Sequence, residues 1–91
     1  MEFLDDASVA SALANLEWQR DGDSIVRVVG CGDFAGSLAF VNSVGALAEA
    51  AGHHPDIAIS WATVTLRLRT HSAGGLTRAD MDLAGAIDAL G

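Results

Sequence analysis

The apolar positions of this 91-residue chain change their period several times, and each change marks a new element. Val9, Leu13 and Leu16 recur at helical spacing, which predicts a first helix from about Ser8 to Leu16 with Ser8 or Asp6 as its N-cap. "RDGDS" reads as a turn, and "SIVRVVG" as a short apolar strand that stops at Gly30 and Gly32. Asp33 then caps "DFAGSLAFVNSVGALAEAAG". Phe34, Leu38, Val41 and Ala48 form one apolar stripe of that helix, and Phe40, Val44, Leu47 and Ala51 form a second beside it. So wide an apolar face predicts one side buried on a sheet and more buried elsewhere, for instance on another subunit. Gly52 suits the C-terminal cap.

In "DIAISWATVTLRLRTH" the period drops to two. Ile57, Ile59 and Trp61 share one parity and Val64, Leu66 and Leu68 the other. A hairpin turning on Ala62–Thr63 would pair Trp61 with Val64, Ile59 with Leu66 and Ile57 with Leu68, so that all six face one way. Ala-Thr is poor chemistry for a two-residue loop, which leaves room for a bulge. Thr65, Arg67, Arg69 and His71 would take the opposite face. Beyond "HSAGG", Thr77 and Asp80 form a capping box, Leu76 and Met81 can staple it, and Leu83, Ile87 and Leu90 supply the core face of the last helix. The order is helix, strand, helix, two strands, helix, with a short extra strand near Trp18. That predicts a single α+β domain over residues 1–91: an antiparallel sheet of about four strands with helices packed on one face.

Charge narrows the partners. Twelve acids against five arginines and no lysine give a formal net charge of −7. A nucleic-acid binder needs a basic surface, and anionic membranes repel an acidic chain, so neither is an expected partner. No apolar run approaches the length of a bilayer span, and "MEFLDDAS" has no basic region ahead of an apolar stretch, so a soluble, unprocessed, cytoplasmic protein is expected. Cys31 is the only cysteine, which fits a reducing compartment and reads as a small apolar residue near a strand end. Arg without Lys, with abundant Ala and Gly, hints at a GC-rich bacterial genome.

The chemistry concentrates in "EAAGHHPD" and in His71. Imidazole can both take and give a proton near neutral pH. Extending the predicted hairpin sets His54 beside His71, near the end of the long helix. His53 follows Glu49 by four residues, so that carboxylate could orient or charge it. Pro55 restricts the backbone at His54, and preplaced groups suit acid–base chemistry. Adjacent histidines beside an extended proline diverge, and no HxH, HExxH or cysteine pair is present, so no metal is expected. No nucleophile elbow is present either.

Glu49-x-x-x-His53-His54-Pro55, an aromatic at Trp61, Thr70-His71 and Asp80 resemble, in order and spacing, the signature of the pterin-4a-carbinolamine dehydratases. The likeness extends through "LxxL-E-W" up to Trp18, "DFAGSLAFVNSVGALAEAAGHHPD" and "THSAGGLTRADMDLA". It implies a cofactor-free hydro-lyase that removes water from a 4a-hydroxytetrahydropterin, leaving the quinonoid dihydropterin for recycling. It also implies a homodimer or homotetramer built through sheet edges and helix faces. By position, His53 and His71 would be the principal acid–base pair, with His54 assisting or binding the pterin. Glu49 would orient His53 and stabilise developing positive charge. Pro55, Thr70 and the backbone at Ser72 and Ala73 would line the pterin edge. Asp80 belongs to the signature as well as to the capping box, and Trp18 would cover the site or fill the core. The resemblance also admits an alternative: a catalytically weak or inactive relative that acts as a protein-binding or assembly cofactor.

Overall fold

In the computed structural model, which describes residues 3–90, the first helix, α1, spans Asp6–Leu13. It starts earlier than expected because Asp5 is the N-cap: its carboxylate accepts the Ser8 amide at 2.8 Å. Ser8 therefore lies inside the first turn, at the position such a cap addresses. That bond holds the Asp5 carboxyl below its ordinary value, with the Ser8 hydroxyl adding to the effect. Val9 is buried, and the helix stops three residues short of Leu16.

The extra strand near Trp18 is present. It is β1, Gln19–Asp21, and it turns back through Gly22 and Asp23 into β2, Ser24–Gly30. Gly22 takes φ 60°, a left-handed conformation open to glycine at no steric cost. Trp18 is core: 4% exposed, it donates its indole N–H to Asp88 at 2.8 Å.

Helix α2 runs Phe34–Ala51 between the caps its sequence announced, Asp33 and Gly52. Val44 and Ala48 are buried against the sheet and the last helix, and Phe40, Val41 and Leu47 are half-buried beside them. Phe34 and Leu38 are 49% and 43% exposed, so the first stripe faces outward at its N-terminal end and is buried only at Ala48. At 18 residues and a mean hydropathy of 1.3, α2 is long and apolar enough to cross a membrane by length and composition, contrary to the expectation that no run came close. Here it is the helix of a sheet-and-helix layer: the buried Ser37 hydroxyl ties it to the carbonyl of Trp61 at 2.6 Å.

Strands β3, Asp56–Ser60, and β4, Thr63–Leu68, form the expected hairpin in a different register. The pairs are Ile57 with Leu66, Ile59 with Val64 and Ser60 with Thr63, so the loop is Trp61–Ala62. The parity survives, because the shift is two residues along the ladder; only Trp61 leaves the sheet. The loop holds Trp61 at φ 49°, and its carbonyls are taken by Ser37 and by the Cys31 amide. A left-handed conformation costs a residue with a Cβ roughly 1–2 kcal/mol, so tertiary bonds rather than local turn preference set this loop.

The sheet order is β1-β2-β4-β3, antiparallel throughout. Ile25, Val64, Leu66 and Leu68 point to one face, where they meet Val9, Val44, Ala48 and the core residues of α3, Arg78–Asp88. The predicted α+β class therefore holds, with strand and helix order α-β-β-α-β-β-α. Thr77 and Asp80 cap α3 reciprocally, as the sequence proposed. Leu83 and Ile87 are buried, but Leu90 lies past the helix and is 43% exposed, so it is no part of the core. At the other end of α3, Asp88 accepts from Arg27, Trp18 and the Glu17 amide, which fastens the helix to the β1–β2 hairpin.

Candidate acid–base site

His53 is placed by the way α2 ends. Gly52 turns left-handed at φ 62°, its amide donates to Glu49, and the His53 amide reaches back to the Ala48 carbonyl at 3.2 Å. This paired closure is the Schellman motif, and it locks His53 onto the helix terminus. The chain then passes through His54 and Pro55 into β3. His54 lies outside the sheet, since the ladder begins at Asp56–Arg67. Following that register to His54 would bring Arg69 opposite rather than His71, so the expected adjacency of His54 and His71 through strand pairing does not occur.

The carboxylates are also distributed differently from the expectation. Glu49 meets His54, at 3.0 Å, and both side chains are largely exposed, so the pair is screened and worth about 1 kcal/mol or less. The partner of His53 is Asp80: Nε2 lies 2.6 Å from Oδ1, with the His53 side chain 16% and Asp80 0% exposed. The i, i+4 rule that singled out Glu49 holds only within a helix. His53 is beyond Gly52, where the chain has already turned toward α3.

Asp80 is fully engaged. Its Oδ2 accepts the Thr70 hydroxyl and the Thr77 amide, both at 2.8 Å, while Thr70 and Thr77 are themselves linked at 2.8 Å. Thr70, Thr77 and Asp80 are all buried, so the carboxylate and the Thr70 hydroxyl act on His53 from behind rather than lining an open surface. The capping box and the histidine contact are therefore one structure, because Asp80 presents one oxygen to each.

Thr70 also begins the segment that carries His71. Its amide bonds to Gly75, and its carbonyl accepts the Ala73 and Gly74 amides, closing a 3₁₀ turn over His71–Ala73. His71 and Ser72 are exposed on this turn and Ala73 is half-buried. The chain of contacts from His53 to Asp80 to Thr70 thus ends one residue from His71. A hollow of about 430 Å³ opens beside His53 between α2 and α3, with Ala50, Ala51, Ala79 and Leu83 among its walls. Pro55 is half-buried at the start of β3. Among the described residues, no three His, Cys, Asp or Glu side chains are grouped to hold a metal ion. Sequence reasoning missed two pairings, His53 with Asp80 and His54 with Glu49, although all four residues were singled out.

Comparison with known proteins places these features in a family. The sequence profile described as pterin 4 alpha carbinolamine dehydratase matches residues 2–90. A protein of Nocardia farcinica is 53% identical over 98% of this chain and 95% of its own length; one of Roseiflexus castenholzii is 51% identical over 94% of each. Both are named, provisionally, for the same dehydratase. A crystal structure titled as a transcriptional coactivator/pterin dehydratase of Brucella melitensis superposes with a TM-score of 0.93 at 28% identity, over 98% of both chains. A pterin dehydratase-like protein described as a RuBisCO assembly factor in the alpha-carboxysome superposes at 0.66 and 25% identity, over 82% of this chain and 87% of that one.

Proposed function

Because the chain belongs to the pterin 4 alpha carbinolamine dehydratase family, we propose that it dehydrates a 4a-hydroxytetrahydropterin by histidine acid–base chemistry. A base takes the proton on N5, and the electron pair of that N–H bond becomes the N5=C4a double bond. The C4a–O bond breaks, and the departing hydroxyl leaves as water with a proton from an acid. No electrons are gained or lost, so the step calls for no redox partner. What supports the reading is His53, an imidazole backed by a buried carboxylate at 2.6 Å and bordering a hollow. Acid–base groups of this kind contribute roughly 10²–10⁴ each in rate.

In this reading His53 and His71 exchange protons with the substrate and His54 assists. Glu49, Pro55, Ser72 and Ala73 border the pterin, while Thr70 and Asp80 hold His53. The enzyme works in the cytoplasm without a metal or cofactor, in tetrahydropterin recycling, as a homodimer or homotetramer. Strand β3 is an edge whose Ile57 and Ile59 are 37% and 38% exposed. With Trp61, Phe34 and Leu38 also exposed, that edge is the surface a second copy would cover.

The test is to generate the 4a-hydroxytetrahydropterin in situ and follow quinonoid product for wild type and His53→Ala, with and without chelator. A large loss in the variant and indifference to chelator are expected. Equal rates for wild type and variant would instead favour the second reading, a partner-binding or assembly role. The solved relative described as an assembly factor and the exposed apolar ridge both speak for that alternative.

A further inference from the structure

Each hydroxyl around Asp80 has one proton to give, and counting those protons orients the whole network. Thr70 Oγ1 donates to Asp80 Oδ2 at 2.8 Å, so its proton is spent. The 2.8 Å contact between the two threonine hydroxyls must then carry the proton of Thr77. Thr77 Oγ1 in turn accepts from the Ala79 amide at 3.2 Å. The donors thus run from the Ala79 amide through Thr77 and Thr70 to Asp80, where the Thr77 amide arrives as well. Such chains polarise successive bonds in one direction. An ionised carboxylate only accepts, so with Oδ2 supplied by two donors, Oδ1 takes its hydrogen bond from His53 at 2.6 Å.

The other ring nitrogen has no such tie. No side-chain hydrogen bond of His53 besides the one to Asp80 occurs among the described residues. The only buried side-chain nitrogen or oxygen without a partner there is Arg69 Nε, so Nδ1 of His53 is open to its surroundings. We infer that the Thr77–Thr70–Asp80 relay fixes neutral His53 as the Nε2–H tautomer, making Nδ1 the atom that exchanges protons with substrate and Asp80, Thr70 and Thr77 positioning residues. This rests on the dehydratase reading for the identity of the substrate but not for the tautomer. When Nδ1 takes the N5 proton, the imidazolium holds one N–H on Asp80 and the other on the side from which the proton came. A second proton transfer then returns the ring to its starting form.

The experiment is ¹⁵N NMR of the imidazoles in the intact protein at a pH where the rings are neutral, paired with steady-state kinetics. Nitrogen shifts and two-bond couplings should show His53 as a single Nε2–H tautomer, and an Nδ1–H form or an averaged mixture overturns the inference. Asp80→Asn puts an amide beside Nε2. It should abolish the single tautomer and lower kcat by roughly 10²-fold or more, the scale of a lost acid–base group, with KM little changed. Thr70→Val keeps the volume, leaves the capping box intact and removes one donor to Asp80 Oδ2. Asp80 still accepts from Nε2, so the tautomer should persist while kcat falls less than in Asp80→Asn. The wild-type spectrum decides the inference should the Asp80 variant fail to fold. An unaltered tautomer and kcat in folded Asp80→Asn would also overturn the inference. Wild type lacking dehydratase activity but showing the fixed tautomer would sink the proposed reaction and leave the relay standing.

Discussion

Gly36 and Gly45 sit in the same helix, α2, and local physics treats them alike: alanine in place of a helical glycine gains about 1 kcal/mol. Their surroundings differ. A Cβ on Gly45 would meet nothing within 4 Å, whereas on Gly36 it would stand 2.1 Å from the Cys31 carbonyl oxygen and 3.1 Å from the capping carboxylate of Asp33. Carbon and carbonyl oxygen in contact are roughly 3.3 Å apart, so about an ångström must be found. The obstructing atom is backbone, in a residue whose amide is bonded to Ala62 at 2.7 Å. Overpacking of this kind costs ~1–3 kcal/mol. The propensity gain is common to both variants, so Gly36→Ala should be less stable than Gly45→Ala by the steric cost alone, ~1–3 kcal/mol. With a urea m-value of about 1 kcal/mol/M for a chain this small, the unfolding midpoints should separate by roughly 1–3 M. The comparison must be made at one protomer concentration, since assembly adds stability by mass action. Coincident midpoints, or Gly36→Ala the more stable of the two, would refute the close approach of α2 to the Cys31 turn.

Two further outcomes follow from the same geometry. Trp61→Asn removes a 70% exposed aromatic from the β3–β4 loop and places a residue that tolerates the left-handed conformation at φ 49°. Light scattering should show smaller assemblies while the monomer's unfolding midpoint stays level or rises; unchanged assembly would remove Trp61 from any contact between copies. Asp5 has its folded-state value held below the ordinary 3.8 by the Ser8 amide and hydroxyl. A depressed carboxyl stabilises fully above its unfolded value, and that contribution is lost as pH falls through the folded one. Asp5→Asn keeps a cap but cannot titrate, so the stability advantage of wild type over the variant should shrink as unfolding is followed below pH 3.8. A difference that stays constant with pH would contradict the assignment.

Much of the architecture was legible because its signals are local. Asp33 and Gly52 bracket α2, "SIVRVVG" is β2 to the residue, and Thr77 with Asp80 opens α3, each decided by atoms within a few residues. The errors lie where two local choices are nearly equal or where a distant atom outbids a local preference. Asp5 took the first cap from Ser8 by a contest too close for sequence to settle. The β3–β4 loop was placed one residue late because the parity of the apolar residues is the same in both registers and does not fix where the turn falls; Ser37 and Cys31, remote in sequence, hold its loop there.

The site divides the same way. That Glu49, His53, His54, His71 and Asp80 are the candidate residues was readable from their spacing and from a family likeness, since those depend only on residue identity and order. Which carboxylate serves which imidazole was not. Helical spacing pairs groups only while the helix lasts, and α2 ends between Glu49 and His53. Past Gly52 the direction of the ring is set by a left-handed turn and by the packing of α3 against α2. Those bring Asp80, twenty-seven residues along the chain, within 2.6 Å and leave Glu49 to His54.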